Sequence, residues 1–128
     1  MAARSRPLSP HLQIYKFTLT MAMSIVQRGT GIAMYFGTLL IVLWLGAAAL
    51  GDGPLAVVNA IFGFWLVQII LFLATLALFV HLFGGIRYLI WDRTQMMDPA
   101  GRELIVRLQL GVAIVFTVLA WALWVWLK

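Results

Sequence analysis

The chain has 128 residues, 64% of them hydrophobic and only 10% charged, with a mean hydropathy of +1.03 and a net charge of +5. A water-soluble domain is about half apolar and about a quarter charged, so this composition excludes a globule in water and leaves lipid as the solvent. The chain has no cysteine, which excludes disulfides, a thiolate metal site and an iron–sulfur cluster held by this chain. Its nine basic residues flank apolar runs instead of forming a dense patch, which excludes a nucleic-acid partner and fits charges that orient a membrane protein.

The chain reads as one domain, residues 1–128, in chain order as follows. Residues 1–19 form a polar N-terminal segment. Arg4, Arg6, Pro7, Pro10 and Lys16 lie in it without the apolar stretch of a signal peptide. The first helix is expected over about residues 20–50. Its uncharged part, "GTGIAMYFGTLLIVLWLGAAAL" at 29–50, is long enough to cross a bilayer. "GDGP" at 51–54 then supplies turn chemistry.

The second helix is expected over about 55–91, with no charge between Leu55 and Ile86. That uncharged run measures roughly 45 Å as a helix, more than a hydrocarbon core of about 30 Å, so it has to tilt or project. "DRTQMMDPAGRE" at 92–103 reads as a polar loop punctuated by Pro99 and Gly101, and the third helix follows over about 104–127. The fold class is therefore all-α, with three transmembrane helices. Arg4, Arg6, Lys16, Arg28, Arg87, Arg93, Arg102 and Arg107 fall on one side, against Lys128 on the other. The positive-inside rule then places the N-terminus in the cytoplasm or matrix and the C-terminus in the periplasm or its equivalent.

Two polar clusters interrupt the apolar runs. In "FVHLFGGIRYLIWD", His81 closes the second run. Ala74, Ala77, Gly84, Gly85 and Tyr88 share its helical stripe. A stripe of small residues admits a neighbouring helix, which the imidazole would hydrogen-bond. It equally admits a flat macrocycle whose iron the imidazole would ligate. A bis-histidine haem needs two histidines, and the only other one is His11, in the polar tail, so a second ligand has to come from another chain.

In "MSIVQRGTG", Ser24, Arg28, Gly31 and Tyr35 share a second stripe. Ser24 and Arg28 offer donors to a quinone carbonyl or a haem propionate. The plainer alternatives are a serine bonded back to its own helix and a snorkelling, orienting arginine. Trp121, Trp124 and Trp126 read as an interfacial belt, with Trp91 at the other interface. Met96 and Met97 read as packing residues.

Three segments together resemble the cytochrome b membrane-anchor subunit of succinate dehydrogenase, respiratory complex II. They are "RPLSPHLQIYKF" at 6–17, "SIVQRGTG" at 24–31 and "HLFGGIRYLIWD" at 81–92, in the family's order. The resemblance implies a haem b-binding anchor with His81 as axial ligand. Ser24 and Arg28 would serve the ubiquinone pocket, with Arg28, and possible contact from Gln27, toward the haem propionates. A second small anchor subunit would bring the other iron ligand. A flavoprotein and an iron–sulfur subunit would dock on the cytoplasmic face. Without them the chain would catalyse nothing. It would lie in a bacterial inner membrane or, alternatively, the mitochondrial one.

Gln27 and Tyr88 stand where the family commonly has histidine. Gln27 donates hydrogen bonds but cannot relay a proton as an imidazole does. The alternatives to this reading are a haem-free anchor and an unrelated small helical membrane protein such as a transporter component.

Overall fold

The computed structural model describes residues 16–127, and its regular structure is entirely helical. The helices are α1 (Leu19–Leu50), α2 (Asp52–Phe62), α3 (Trp65–Asp92) and α4 (Pro99–Leu127). Three of them, α1, α3 and α4, are long and apolar enough to cross a membrane. Residues 1–15, including His11, lie outside the described residues.

Helix α1 begins where the Thr18 side chain accepts a hydrogen bond from Met21 N at 3.4 Å. It ends at Gly51, whose φ of 108° is a conformation that only glycine adopts without strain. The stretch expected as a single helix over 55–91 is divided instead. Helix α2 has 11 residues, too few to cross, and closes at Gly63, whose N–H bonds Asn59 O at 2.8 Å. The Gln68 side-chain amide reaches back to the Phe62 carbonyl. It satisfies an acceptor that a broken helix would otherwise orphan in an apolar setting. The break answers the length problem: α3 alone, with 28 residues, measures about 42 Å.

The loop after α3 is also shorter than 92–103. Asp98 Oδ2 accepts from Gly101 N at 2.9 Å and Pro99 opens the helix, so Asp98-Pro99 is a helix start. The connection is 93–98, and it contains Thr94 and Met96 at φ 56° and 54°.

The core is small. Met23, Val80, Val106 and Ala113 form its centre, with Leu76, Phe79, Phe83 and Leu110 packed around them. Polar bonds join the helices as well. Gln109 Nε2 donates to Val80 O at 2.9 Å, and Trp121 Nε1 to Thr75 Oγ1 at 3.3 Å. These pairs make α3 and α4 antiparallel. Trp121 also packs against the Phe72 ring at 5.5 Å, so it joins α3 to α4, whereas Trp126 is 81% exposed. Of the most apolar 18-residue windows in α1, α3 and α4, only 6%, 6% and 11% is buried within the chain. Nearly all of that apolar surface is therefore left for lipid or for other membrane chains.

Candidate functional site

The site lies where the first third of α1 crosses the second half of α3. Gln27 is buried on α1, and its Nε2 donates to the backbone carbonyl of His81 at 3.1 Å. Thr30, one turn further along, places its Oγ1 3.2 Å from His81 Nδ1. Gly31 completes the surface: a Cβ there would lie 3.3 Å from His81 Cε1. His81 is thus at the depth of Gln27–Gly31, and the two polar stretches of the sequence meet through Gln27, Thr30 and Gly31.

The hydrogen bonds select a tautomer. The Thr30 hydroxyl donates its one proton to Gln27 O at 3.0 Å, so toward His81 it can only accept. Nδ1 therefore carries the proton and donates to Thr30. Gln27 Nε2 also lies 3.4 Å from Nδ1; with the proton on Nδ1 that approach is not a hydrogen bond, and the amide's bond is the one to the His81 carbonyl at 3.1 Å. With Nδ1–H fixed, Nε2 presents a lone pair. Among the described residues nothing hydrogen-bonds it. A metal-binding imidazole needs this arrangement, with one nitrogen anchored through its proton and the other free.

The two glycines after His81 do different work. Both were expected to leave room beside the imidazole, but the space at Gly84 is taken. A Cβ there would lie 1.8 Å from Gln27 Oε1 and 2.9 Å from Gln109 Nε2. Gly84 is where α1 and α4 side chains rest on the α3 backbone. At Gly85 a Cβ would meet nothing within 4 Å, so the open side of the helix is there. Ala74 and Ala77, on the His81 stripe, line a groove of ≈ 450 Å³ with Ala33 and Gly37 of α1.

The Ser24–Arg28 pair borders this site without entering it. Ser24 is half-buried, and its hydroxyl donates to Thr20 O at 3.3 Å. Arg28 is exposed on the outer side of α1 and makes no ion pair among the described residues. Of the rest of that stripe, Gly31 touches His81 while Tyr35 is 68% exposed. Tyr88 is 37% exposed and packs edge-on against Trp91 at 5.8 Å. Arg87 does not belong with the loop charges: it is 1% exposed, inside α3.

Thr30, Gln109 and the buried state of Arg87 were not singled out from the sequence. Thr30 stands three residues after Gln27, one turn on, which was the available signal. The roles of Gln109 and Arg87 depend on what faces them.

Residues 2–120 match the model of the succinate dehydrogenase/fumarate reductase transmembrane subunit family. The chain belongs to that family. Its relatives include the succinate dehydrogenase cytochrome b556 subunit of Paracoccus denitrificans, 43% identical over 88 residues, covering 69% of this chain and 68% of the relative. The succinate dehydrogenase cytochrome b560 subunit of Reclinomonas americana is 35% identical over 123 residues, covering 91% of this chain and 85% of the relative. The mitochondrial cytochrome b560 subunit of Sus scrofa is 42% identical over 94 residues, covering 69% and 53%. This member of the succinate dehydrogenase family is a multi-pass inner-membrane protein, as its three apolar helices and its bacterial and mitochondrial relatives agree. At Gln27, where the family commonly has histidine, this chain uses a carboxamide to tie α1 to the His81 backbone.

Proposed function

We propose that this chain is the haem b-binding membrane anchor of a succinate:ubiquinone oxidoreductase, with His81 as one axial ligand. The observation that carries this reading is the Thr30–His81 bond, which leaves Nε2 unprotonated on a half-buried imidazole. The residues present fit the group: one anchored imidazole, and an open flank at Gly85.

Bound there, haem b supplies a one-electron carrier in the membrane. Thr30 holds the imidazole in its ligating tautomer, and Gln27 fixes the backbone that bears it. Among the described residues His81 is the one histidine, and a second small anchor subunit would supply the other iron ligand.

Arg28 and Ser24 form this chain's share of the ubiquinone site. The Arg28 side chain, free of any acid and directed outward, donates to a quinone carbonyl and favours the charge that develops on its oxygen as it is reduced. The Ser24 hydroxyl, held by a long bond to Thr20 O, turns to the same oxygen. The apolar faces of α1 and α3 take the isoprenoid tail and the partner anchor.

The basic end of the helices faces the cytoplasm or matrix, where the flavoprotein and iron–sulfur subunits dock and carry out succinate oxidation. The test is a dithionite-reduced spectrum of the purified complex. Wild type should show a low-spin haem b together with co-purified flavin and iron–sulfur subunits, and assembled His81→Leu should lose the haem spectrum. An unchanged spectrum in assembled His81→Leu would end the ligand assignment.

A further inference from the structure

Arg87 is the most deeply buried charge among the described residues, 1% exposed, and its Nε, Nη1 and Nη2 take no hydrogen bond. Two aromatic faces hold it. The guanidinium carbon lies 5.0 Å from the Tyr88 ring centre and 4.9 Å from that of Trp91. Cation–π contact offsets part of the cost of burying a charge, but it satisfies none of the N–H groups. The Trp91 Nε1 is likewise buried without an acceptor. Guanidinium and indole thus form one cluster of donors that call for an oxyanion.

Among the described residues no acid of this chain pairs with Arg87. The chain's four acidic residues are Asp52, Asp92, Asp98 and Glu103. Asp98 bonds Gly101 N, and Glu103 pairs with Arg107 at 2.7 Å. Asp52 opens α2, and Asp92 is exposed at the end of α3 without an ion pair among the described residues. The counter-anion therefore comes from outside the chain.

Depth and access indicate its kind. Arg87 is five residues before the end of α3, so about 7.5 Å inside it, and Trp91 is in the last turn. That is the level at which lipid headgroups meet the hydrocarbon. Tyr88 is 37% exposed and Trp91 half-buried, so both rings that hold the cation reach the outer surface of the helix. At the same end Lys16, Arg28, Arg93, Arg102 and Arg107 outnumber Asp92, Asp98 and Glu103 by five to three. We propose that Arg87 and Trp91 form a headgroup site for one anionic phospholipid of the adjacent leaflet. The guanidinium swings out between the two rings to take the phosphate oxygens, and the indole N–H adds a third donor.

The test uses the whole purified complex in nanodiscs of phosphatidylcholine with a minor share of phosphatidylglycerol. Native mass spectrometry counts the lipids retained after mild delipidation. Wild type should hold one phosphatidylglycerol per anchor that Arg87→Met loses, with retention falling about tenfold or more. Arg87→Lys, which keeps the charge but not the fork, should lie between, and Trp91→Phe should weaken retention less. If Arg87→Met does not assemble, Arg87→Lys and Trp91→Phe decide, and unchanged retention in both overturns the site. Two further results would overturn it: displacement of the lipid by inorganic phosphate alone, which marks a free-anion site, and a cryo-EM map with Arg87 against a partner carboxylate.

Discussion

His81 Nδ1 lies 3.2 Å from Thr30 Oγ1, whose proton is already committed to Gln27 O at 3.0 Å. This pair links a turn of α1 to the chemistry of α3, because an acceptor-only hydroxyl dictates which imidazole nitrogen is free. Thr30→Val keeps the shape and removes the acceptor. It should leave the complex assembled while lowering haem retention by about 10- to 100-fold, as loss of such a supporting bond does at other metal sites. Thr30→Ser should restore most of it. Haem content per complex is the measurement, and equal content in Thr30→Val and wild type would remove Thr30 from the site.

Gly84 and Gly85 should separate fold from cofactor. Gly84→Ala sets a methyl 1.8 Å from Gln27 Oε1, so it should displace the amide and cost about 1–3 kcal/mol as overpacking. The melting temperature of the complex should drop. Gly85→Ala meets nothing within 4 Å and should melt like wild type. Gly85→Leu should also fold, but it should lower haem content by obstructing the open flank, although it changes no ligand. A Gly85→Leu complex with full haem content would place the macrocycle elsewhere.

Arg28→Leu should slow quinone reduction far more than reduction of an artificial acceptor taken directly from the soluble subunits. The outward position of Arg28, outside every helix contact described here, motivates this. Equal loss of both activities would assign Arg28 to assembly.

A reporter fused after Lys128 should be active outside the cytoplasm, and one inserted within 94–97 should be active inside. The insertion site follows the observed start of α4 at Pro99. The reverse pattern would overturn the orientation drawn from the basic residues.

Composition and hydropathy are enough to identify the solvent and the class of fold. Charge-free apolar stretches of this length have one stable solution in lipid, helices that satisfy their own backbone, so α1, α3 and α4 were legible. Gly51 was legible as a stop because its turn chemistry is local. The break at Gly63 was not, because the Gln68 bond to the Phe62 carbonyl that accompanies it joins residues six apart, which helical spacing does not mark. Asp98-Pro99 reads as loop in the sequence, and the Asp98–Gly101 bond makes it a helix start.

His81, Gln27, Ser24 and Arg28 stood out because polar groups in apolar runs are rare. Which of them touch depends on how the helices pack. Helical spacing orders residues around one axis, but it carries no information about how α1 is rotated against α3. That rotation brings Gln27, Thr30 and Gly31 to His81 and leaves Arg28 outside. It also fills Gly84 with the carboxamides of two other helices while Gly85 stays open. Arg87 was counted among the orienting charges, since a basic residue near a helix end ordinarily snorkels to water. The rings that hold it, Tyr88 and Trp91, lie on α3 itself, but its burial belongs to the packed chain and is not encoded in helical spacing.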